Sequence, residues 1–496
     1  MIAELILFIV ALCSLGYFWL KRTYSFFEKF GIEHDKPTLI LGSNKDTLLQ
    51  KANLVDHVET QYKSFNSNIV GIFDMVNPVF LLRSPELIRQ VAIKDFDHFI
   101  NRRPSFDASN GGLFGISLLH MQSQKWKDMR ATLSPSYTGS KMRGMFELMK
   151  TNSEQAVNYM KSKLNEKETE IELKDLFSRY ANDVIASTAF GLKINSFEGD
   201  NEFFKMGQVV TSFTTFETLK FFLISNFQTM SKYLCLKLFP KEQTDYFMRL
   251  VLDAMKQRKS QNIVRPDLIN TLMEVKESGK WTDEEIVAQC FIFFFAGFDT
   301  VTLTLCCAAY EIMRDQDVQE KLRSEINEVV EFLDGSPLTY EALSKLKYLD
   351  AVLQETLRIW PQAPQVDRVC TKPTIIVDPY TGKTINLSVG DAVSIPIVGL
   401  QRDPKYFPEP MKFDPERFND DNKKSIDSNT YMPFGIGPRM CIGMRFAQLE
   451  IKTILFYFLK EFKFERCSKS TVPLVLDPST IQPEPKEGFW VKVLEC

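Results

Sequence analysis

The stretch Phe434–Gly443, which reads FGIGPRMCIG, decides the fold of this chain. It places two glycines, Arg439 and Cys441 at set offsets, and an apolar, helix-like run from Met444 to Phe458 follows directly. A cysteine ahead of a helix N-terminus meets free backbone N–H groups and the positive end of the helix dipole, and both stabilise a thiolate. The sequence therefore predicts an activated cysteine at the start of a helix.

The surroundings of Cys441 favour a haem over other metal groups. A single thiolate with no nearby histidine or second cysteine suits the axial position of a haem iron, whereas zinc wants four ligands or three and a water. The glycines let the backbone run close under a flat ring, and Arg439 offers a positive group to a haem carboxylate. The alternative is a glycine-rich turn before a helix, with a buried and inert cysteine.

The composition is that of a large globular protein. Of the 496 residues, 44% are hydrophobic and 25% are charged, and the net charge of −3 gives no sign of nucleic-acid binding. No linker rich in proline, glycine or serine divides the interior, which predicts one main domain. The nine cysteines are scattered without a CxxC pair, which is typical of free thiols in a reducing compartment.

The N-terminus carries a predicted membrane anchor. Residues Ile2 to Leu20 are apolar except for Glu4 and a few small polar or aromatic residues, and Lys21 and Arg22 follow at once. About twenty apolar residues span a bilayer as a helix, and basic residues behind them leave the body of the protein in the cytoplasm. The alternatives are a buried core helix and a signal peptide, which would carry its positive charge first. The predicted division is an anchor at 1–20, a hinge at 21–42 and a main domain at 43–496.

A loop and a helix in the first third of the chain point to a site. The stretch from Arg102 to His120 is rich in Gly, Ser and Phe, so we predict a loop with an apolar lining. In the helix predicted next, Trp126 and Arg130 lie four residues apart on one face. Both side chains can donate to a carboxylate. The alternative is an amphipathic surface helix whose tryptophan packs inward.

A long apolar helix is predicted to carry the polar pair Asp299 and Thr300. Thr282 and Glu285 form a capping box at its start. An acid and a hydroxyl buried in such a helix are costly unless hydrogen-bonded, and Gly297 weakens the helix at the same point. We interpret the pair as a proton relay on a kinked helix. The alternative is a threonine bonded to its i−4 carbonyl and a solvent-exposed aspartate.

Three charged residues further along are predicted to be structural. Glu355 and Arg358 share one face of a helix that Pro361 closes, and Arg417 is a candidate third member of the cluster. A buried ion network of this kind serves the specificity of a fold more than its stability.

Further segments have predicted secondary structure. The chain from Glu202 to Gln228 is loaded with phenylalanine beyond the needs of one helical face, which predicts a helix pair bordering a cavity or a membrane. Asn77 to Leu82 is predicted to be a strand, and Thr374 to Ile395 alternates in the manner of strands. The segment from Pro361 to Arg368 is predicted to be irregular.

These motifs occur together in the order of a known family. They are FGIGPRMCIG, AGFDT at 296–300, ETLR at 355–358, PERF at 415–418 and WKDMR at 126–130. Over essentially the whole chain the sequence resembles a eukaryotic microsomal cytochrome P450, a haem-thiolate monooxygenase, and it is most similar to insect enzymes of the detoxification type. It departs from the family pattern at the hinge, which keeps only Pro37, at Val301 after the threonine, and at Gln401, where histidine is common.

The resemblance implies a mainly α fold with a small β region, in a single catalytic domain behind the anchor. It implies haem b (iron protoporphyrin IX), with Cys441 as the iron ligand and Asp299 and Thr300 as the proton-delivering pair. The haem propionates would be held by Arg102, Trp126, Arg130, Arg368 and Arg439, and the ring would lie against Ala296, Phe434 and Gly443. Substrate contacts would come from Phe114, Phe213, Ile292, Val366 and Ile481.

The implied reaction is an NADPH-dependent monooxygenation of lipophilic small molecules, xenobiotics such as plant toxins or insecticides included, with O2 as co-substrate. No flavin or nicotinamide motif occurs in the chain, so the expected electron donor is a separate NADPH–cytochrome reductase on the endoplasmic reticulum membrane, with cytochrome b5 as a further partner. Two alternatives stay open: a haem-thiolate isomerase or dehydratase that needs no O2, and a non-catalytic binder of lipophilic molecules. The pair Asp299 and Thr300 argues against the first, because such enzymes often lose it.

Overall fold

Helices dominate the computed structural model, which describes residues 1–167, 169–212, 215–263, 265, 267–277 and 279–496. In chain order they are α1 (Ile2–Tyr24), α2 (Lys45–Leu48), α3 (Leu54–Lys63), α4 (Pro85–Arg89), α5 (Ala108–Gly111), α6 (Ser123–Leu133), α7 (Gly139–Asn165), α8 (Leu173–Ile185), α9 (Glu202–Thr211), α10 (Thr215–Asn226), α11 (Gln228–Tyr233), α12 (Lys241–Gln261), α13 (Leu268–Glu277), α14 (Asp283–Arg314), α15 (Gln316–Leu333), α16 (Tyr340–Ser344), α17 (Lys347–Ile359), α18 (Ile397–Gln401) and α19 (Met444–Glu461). The predicted helix pair between 202 and 228 is confirmed as α9 and α10.

The strands form three small sheets. They are β1 (Ile69–Asp74), β2 (Asn77–Leu82), β3 (Glu170–Glu172), β4 (Val366–Val369), β5 (Thr374–Val377), β6 (Thr384–Leu387), β7 (Ala392–Ile395), β8 (Phe462–Glu465) and β9 (Trp490–Glu495). The sheet orders are β1-β2-β7-β4, β3-β9-β8 and β5-β6, and the β2–β7 pair is parallel while the others are antiparallel. The predicted mainly α fold with a small β region is confirmed.

One predicted segment is corrected by the sheet. Residues 361–368 were predicted to be irregular, and this is wrong for the end of the segment, because β4 begins at Val366 and pairs antiparallel with β7. Val366 lies opposite Ile395, and Arg368 lies opposite Val393. Alternate residues of a strand point to the same face, so the Arg368 side chain lies on the buried face of β4 together with Val366.

α14 is the central helix of the fold. The predicted capping box is present: Thr282 Oγ1 accepts from the Glu285 N–H, and the Glu285 carboxylate accepts from the Thr282 N–H. The helix is buried along most of its length and packs against α8, α12, α17 and α19. Such burial on all sides explains why its sequence is apolar around its whole circumference.

The N-terminal segment divides into an exposed helix and a packed stretch. α1 extends to Tyr24, a few residues beyond the predicted anchor, and most of its described apolar side chains are exposed, while Leu20 is buried. The stretch predicted to be a hinge packs on the first sheet, where the buried Phe27 ring lies 5.1 Å from that of Phe73 and 5.2 Å from that of Phe80. The base of α1 is therefore fastened to the body by aromatic contacts.

Candidate active site

An accessible face of α14 lies in the interior of the protein. The side chains of Ala296 and Thr300 are exposed and one turn apart in the middle of this otherwise buried helix. The Tyr137 ring contacts Phe293 of α14 at 5.9 Å between centroids and Phe446 of α19 at 6.5 Å. Since α14 crosses the interior, we infer that this face and the start of α19 border one internal cavity.

Cys441 faces an enclosed space. Its side chain is accessible, yet protein atoms surround it closely enough that desolvation raises the pKa of its thiol. The two observations agree when the sulfur borders an internal cavity and not bulk solvent. The Gly443 backbone and the charge of Arg130 act in the opposite direction and favour the thiolate. An accessible sulfur in an enclosed site is what an axial metal ligand needs.

The loop that carries Cys441 is a tight turn. The Cys441 N–H donates to the Phe434 carbonyl over 2.8 Å, and α19 begins at Met444, as the sequence predicts. Gly437 has φ of +71°, and a Cβ there would lie 2.0 Å from the Ala92 carbonyl oxygen. Only glycine allows both this backbone conformation and this close approach.

Arg439 fastens this loop to the segment before α6. Its guanidinium is buried, and it donates to the Ile100 carbonyl over 2.9 Å and to the Met121 carbonyl over 2.7 Å. Its central carbon lies 4.1 Å from the centre of the Trp126 ring. Trp126 is therefore a buried platform for Arg439, an arrangement that attracts the guanidinium to the ring face.

Three further arginines gather near this point. Arg368 is fully buried and donates to two backbone carbonyls over 2.6 and 3.2 Å, while its Nε has no partner among the described residues. An Nη of Arg102 lies 3.6 Å from the Asp367 carboxylate. Arg130 donates to the carbonyl of Met440, next to the cysteine, over 2.8 Å.

Positive charge exceeds negative charge in this arginine cluster. Burial, reinforced by the charge of Arg102, lowers the pKa of Arg368 to about 9 and that of Arg439 to about 8. Among the described residues, Asp367 is the carboxylate that lies with these arginines. Burial acts to raise its pKa, but Arg102, Arg103 and Arg368 hold it below its usual value. Buried cations in excess of carboxylates call for anions from outside the chain. Two haem propionates would supply them, so the residues present fit a haem.

His120 also lies in this region, although no motif in the sequence points to it. Both ring nitrogens lack partners among the described residues, and burial, with Arg102 and Arg439 nearby, lowers the pKa of the imidazole to about 3. The ring packs on Phe114 at 4.6 Å and on Phe106 at 5.2 Å between centroids. A neutral histidine beside the arginines thus offers a free donor and a free acceptor. A lone histidine at the end of a loop has no spacing that would single it out.

Asp299 is buried on the side of α14 that faces α8 and the C-terminal tail. It is 3% exposed, so the alternative of a solvent-exposed aspartate is wrong. Burial raises the pKa of its carboxyl to about 6; Lys174 of α8 and the Gln482 side chain act to lower this pKa, and Glu484 acts to raise it. Its Oδ2 has no hydrogen-bond partner in the part of the chain that the structure describes.

Thr300 lies on the accessible face. Its Oγ1 donates to the Ala296 carbonyl over 2.5 Å, which is the i−4 bond that the alternative interpretation predicted. The hydroxyl oxygen keeps lone pairs for a donor in the cavity, so the bond does not remove it from the site.

The three predicted structural residues are brought together. Glu355 and Arg358 are both fully buried and form two hydrogen bonds of 2.6 and 2.8 Å. Arg417 Nε lies 3.3 Å from the same carboxylate. Arg358 also donates to the carbonyls of Gln401 and Pro410, which ties α17 to the segments that precede the cysteine loop.

The residues predicted to contact substrate fall in different places. Phe114 and Ile292 belong to one buried cluster, in which the Phe114 ring lies 5.4 Å from Phe295 of α14. Val366 is buried in the separate cluster around the first sheet, and Ile481 is half-buried in the C-terminal tail. Phe213 lies outside the described residues.

An enclosed thiol, beside buried arginines that outnumber the carboxylates among them, fits a haem-thiolate protein. The chain matches the family model described as Cytochrome P450 over residues 36–490. It is 46% identical to the probable cytochrome P450 9f2 of Drosophila melanogaster, over 99% of this chain and 98% of that protein. It is 40% identical to cytochrome P450 9b2 of the same organism, over 99% of both chains, and 38% identical to cytochrome P450 9e2 of Blattella germanica, over 98% and 96%.

The chain therefore belongs to the cytochrome P450 family, which confirms the recognition made from its motifs and the likeness to insect members. Membership implies a haem and supports a haem-thiolate monooxygenase, an oxidoreductase that incorporates oxygen.

Proposed function

We propose that this protein is an NADPH-dependent monooxygenase that hydroxylates or epoxidises lipophilic small molecules, xenobiotics such as plant toxins or insecticides among them. The observation that carries the proposal is the accessible Cys441 thiol in an enclosed site whose buried arginines need anions. When bound, the haem supplies oxygen activation, and an electron-rich thiolate ligand favours O–O cleavage.

Different residues around the cavity would hold different parts of the cofactor. Cys441 would hold the iron, and Ala296, Phe434 and Gly443 would contact the haem. Its carboxylates would be held by Arg102, Trp126, Arg130, Arg368 and Arg439, of which Trp126 would act by supporting Arg439. Arg130 also binds the backbone beside the cysteine, so it orients the thiol as well as balancing charge.

We assign the delivery of protons to Asp299 and Thr300. A carboxyl with a pKa of about 6 takes up and releases a proton near neutral pH, which suits a general acid. Thr300 presents its hydroxyl on the cavity face. The cluster of Glu355, Arg358 and Arg417 is structural and supports the segments that precede the cysteine loop.

The lining of the site supports a lipophilic substrate. Phe114 and Ile292 are apolar and lie in the cluster that α14 carries. We assign Val366 and Ile481 to the same lining, and Phe213 stays an expectation from the sequence. An apolar pocket discriminates weakly between similar hydrophobic molecules, which suits an enzyme with several substrates.

Electrons come from NADPH through a separate reductase, with cytochrome b5 as a further partner, on the endoplasmic reticulum membrane. The exposed apolar helix α1, followed by Lys21 and Arg22, supports a membrane anchor with the body in the cytoplasm. α14 is also long and apolar enough to span a membrane. However, 72% of its most apolar stretch is buried inside the protein, as expected for a core helix.

The absorption spectrum of the reduced protein with carbon monoxide tests the ligand. A thiolate-ligated haem gives a strongly red-shifted band, which Cys441→Ala should abolish. Cys467→Ala, at a half-buried cysteine, is the matched control and should keep the band. A Cys441→Ala protein that retains the band would refute the assignment of the ligand.

Consumption of NADPH and O2 tests the reaction class. With reductase and a panel of lipophilic compounds, we expect both to be consumed and oxygenated products to form. Rearranged products without O2 uptake would instead identify an isomerase or dehydratase, and spectral shifts on ligand addition without turnover would identify a binder.

A further inference from the structure

Asn53 makes an unusual set of contacts with the C-terminal tail. It is 1% exposed and precedes α3, where its Oδ1 accepts from the Val55 N–H over 2.9 Å as a helix N-cap. Its side-chain NH2 donates to the carbonyls of Asp477, Thr480 and Gln482 over 2.8, 2.9 and 2.8 Å. Carbonyls only accept, so the orientation of the amide is fixed, and its two hydrogens are shared among these three carbonyls and Thr480 Oγ1 at 3.4 Å.

The segment that Asn53 holds is a short loop closed at its base, here called the 477–484 loop. The Asp477 N–H donates to the Glu484 carbonyl over 2.7 Å, and Leu476 and Pro485 form an isolated antiparallel bridge just outside it. Asn53 reaches into this loop from 424 to 429 residues away in sequence. The Asn53 amide therefore satisfies backbone carbonyls in the middle of the loop, as a neighbouring strand would do.

This loop supplies the polar neighbours of Asp299. The Gln482 side chain lies near enough to the Asp299 carboxyl to lower its pKa, and Glu484 accepts from Lys174 over 2.7 Å. Both Lys174 and Glu484 act electrostatically on Asp299. Ile481, the residue assigned to the substrate lining, directly precedes Gln482 and lies between the Thr480 and Gln482 carbonyls that accept from Asn53.

We propose that Asn53 is a positioning residue for the active site: its side-chain amide holds the 477–484 loop in the register that puts Gln482 on Asp299 and Glu484 on Lys174. The helix cap and the clamp use opposite ends of one amide, so α3 and the loop are fixed relative to each other. The role of the clamp in turnover rests on the proposed function, because it acts through Asp299.

The variant Asn53→Asp separates the two tasks of the side chain. A carboxylate still caps α3 but has no N–H to donate, and it faces carbonyl oxygens that repel it. Hydrogen–deuterium exchange of the haem-loaded, full-length protein, read by mass spectrometry, should show the Asp477 and Glu484 amides exchanging at least roughly tenfold faster, while peptides of α3 exchange as before.

A second readout separates positioning from a merely structural role. The carboxyl stretch of Asp299, taken as the infrared difference between each protein and its Asp299→Asn derivative, gives the midpoint of its titration. The loop carries Gln482, which lowers the pKa of Asp299, and Glu484, which raises it, so Asn53→Asp should shift this midpoint away from its value in the unmodified protein. Lys174 from α8 is the other charged group that faces Asp299, and it is not part of the loop.

Asn201 provides a matched control. It caps α9 through the Phe204 N–H, and its NH2 also donates to a side chain nearby, so Asn201→Asp makes the same chemical change away from the loop. This control should leave both the exchange of the loop and the midpoint of Asp299 as in the unmodified protein. If Asn53→Asp does not fold, Asn53→Ser keeps a cap with a side chain too short to reach the loop, and the same two results are expected.

Native exchange of the loop in these variants would overturn the clamp, and faster exchange with an unchanged midpoint would overturn its action on the site. The carbon monoxide spectrum, recorded on the same samples, distinguishes the two ideas. An unmodified protein without the red-shifted carbon monoxide band would refute the haem-thiolate assignment. The exchange result tests the clamp independently of that assignment.

Discussion

Replacement of Asp299 by asparagine should remove a pH dependence of stability that the native protein shows. The pKa of this buried carboxyl is about 6 in the fold, against an ordinary value of 3.8. The folded state therefore binds the proton more tightly than the unfolded state. The resulting stabilisation is complete below pH 3.8 and is lost as the pH rises through 6. A shift of roughly two pKa units corresponds to about 3 kcal/mol of the free energy of unfolding.

The assay is thermal unfolding of both proteins between pH 4 and pH 8. Asparagine has nearly the same shape and cannot titrate, so subtracting its stability curve cancels the titration of all other groups. We expect the native protein to lose stability relative to Asp299→Asn as the pH rises, with most of the change between pH 4 and 7.

Two neighbouring variants check the sign of this dependence. Lys174 lowers the pKa of Asp299 and Glu484 raises it. Lys174→Met should therefore move the transition to higher pH, and Glu484→Gln should move it to lower pH. A stability difference between native protein and Asp299→Asn that stays constant across the range would refute the reasoning.

Three further predictions concern the framework of the site. Glu355→Gln should lower the free energy of unfolding by about 3–5 kcal/mol, because it leaves the buried Arg358 without its carboxylate, and thermal unfolding measures the loss. Gly437→Ala should sharply reduce haem loading and the carbon monoxide band, since its Cβ would collide with the Ala92 carbonyl. Arg439→Met should weaken haem retention by roughly tenfold or more, measured by transfer to apomyoglobin, because it removes a buried charge-assisted donor.

Each of these changes has a control at a comparable residue. Glu416 is a partly exposed carboxylate paired with Lys321, and Glu416→Gln should cost less than about 1 kcal/mol. Gly144→Ala adds a Cβ with nothing within 4 Å and should leave haem loading unchanged. Arg445→Met removes an exposed arginine near the cysteine and should leave haem retention unchanged. Equal effects in a variant and its control would contradict the structural explanation.

Elements with local signals could be predicted from the sequence. The capping box at Thr282 and Glu285 fixed the start of α14 because both partners lie within one helical turn. β2 was predicted with its observed bounds from the short run NPVFLL, and α19 was predicted to begin directly after the cysteine loop. The ion pair of Glu355 and Arg358 was visible because its members are three residues apart.

Features that depend on distant contacts could not be predicted. β4 exists because Val366 pairs with Ile395 across a crossover, and no alternation in so short a stretch indicates it. His120 and Asp367 matter only because the fold brings them to the arginines. Asn53 carries an ordinary helix cap in the sequence, and its second role appears only once the C-terminal tail is folded against it.

Asp299 and Thr300 of α14 point in different directions, and this divides the proposed site. Consecutive residues of a helix point about 100° apart, so Thr300 borders the cavity while Asp299 lies buried against Lys174 and the 477–484 loop. Lys174 and Glu484 are each partly exposed, so they connect this side of the helix to solvent. Burial raises the pKa of Asp299, and Lys174 and Glu484 adjust it from outside the face that carries Thr300. Substitutions in Lys174 or Glu484 should then alter proton supply while leaving the binding of lipophilic ligands, measured by their spectral shifts, unchanged.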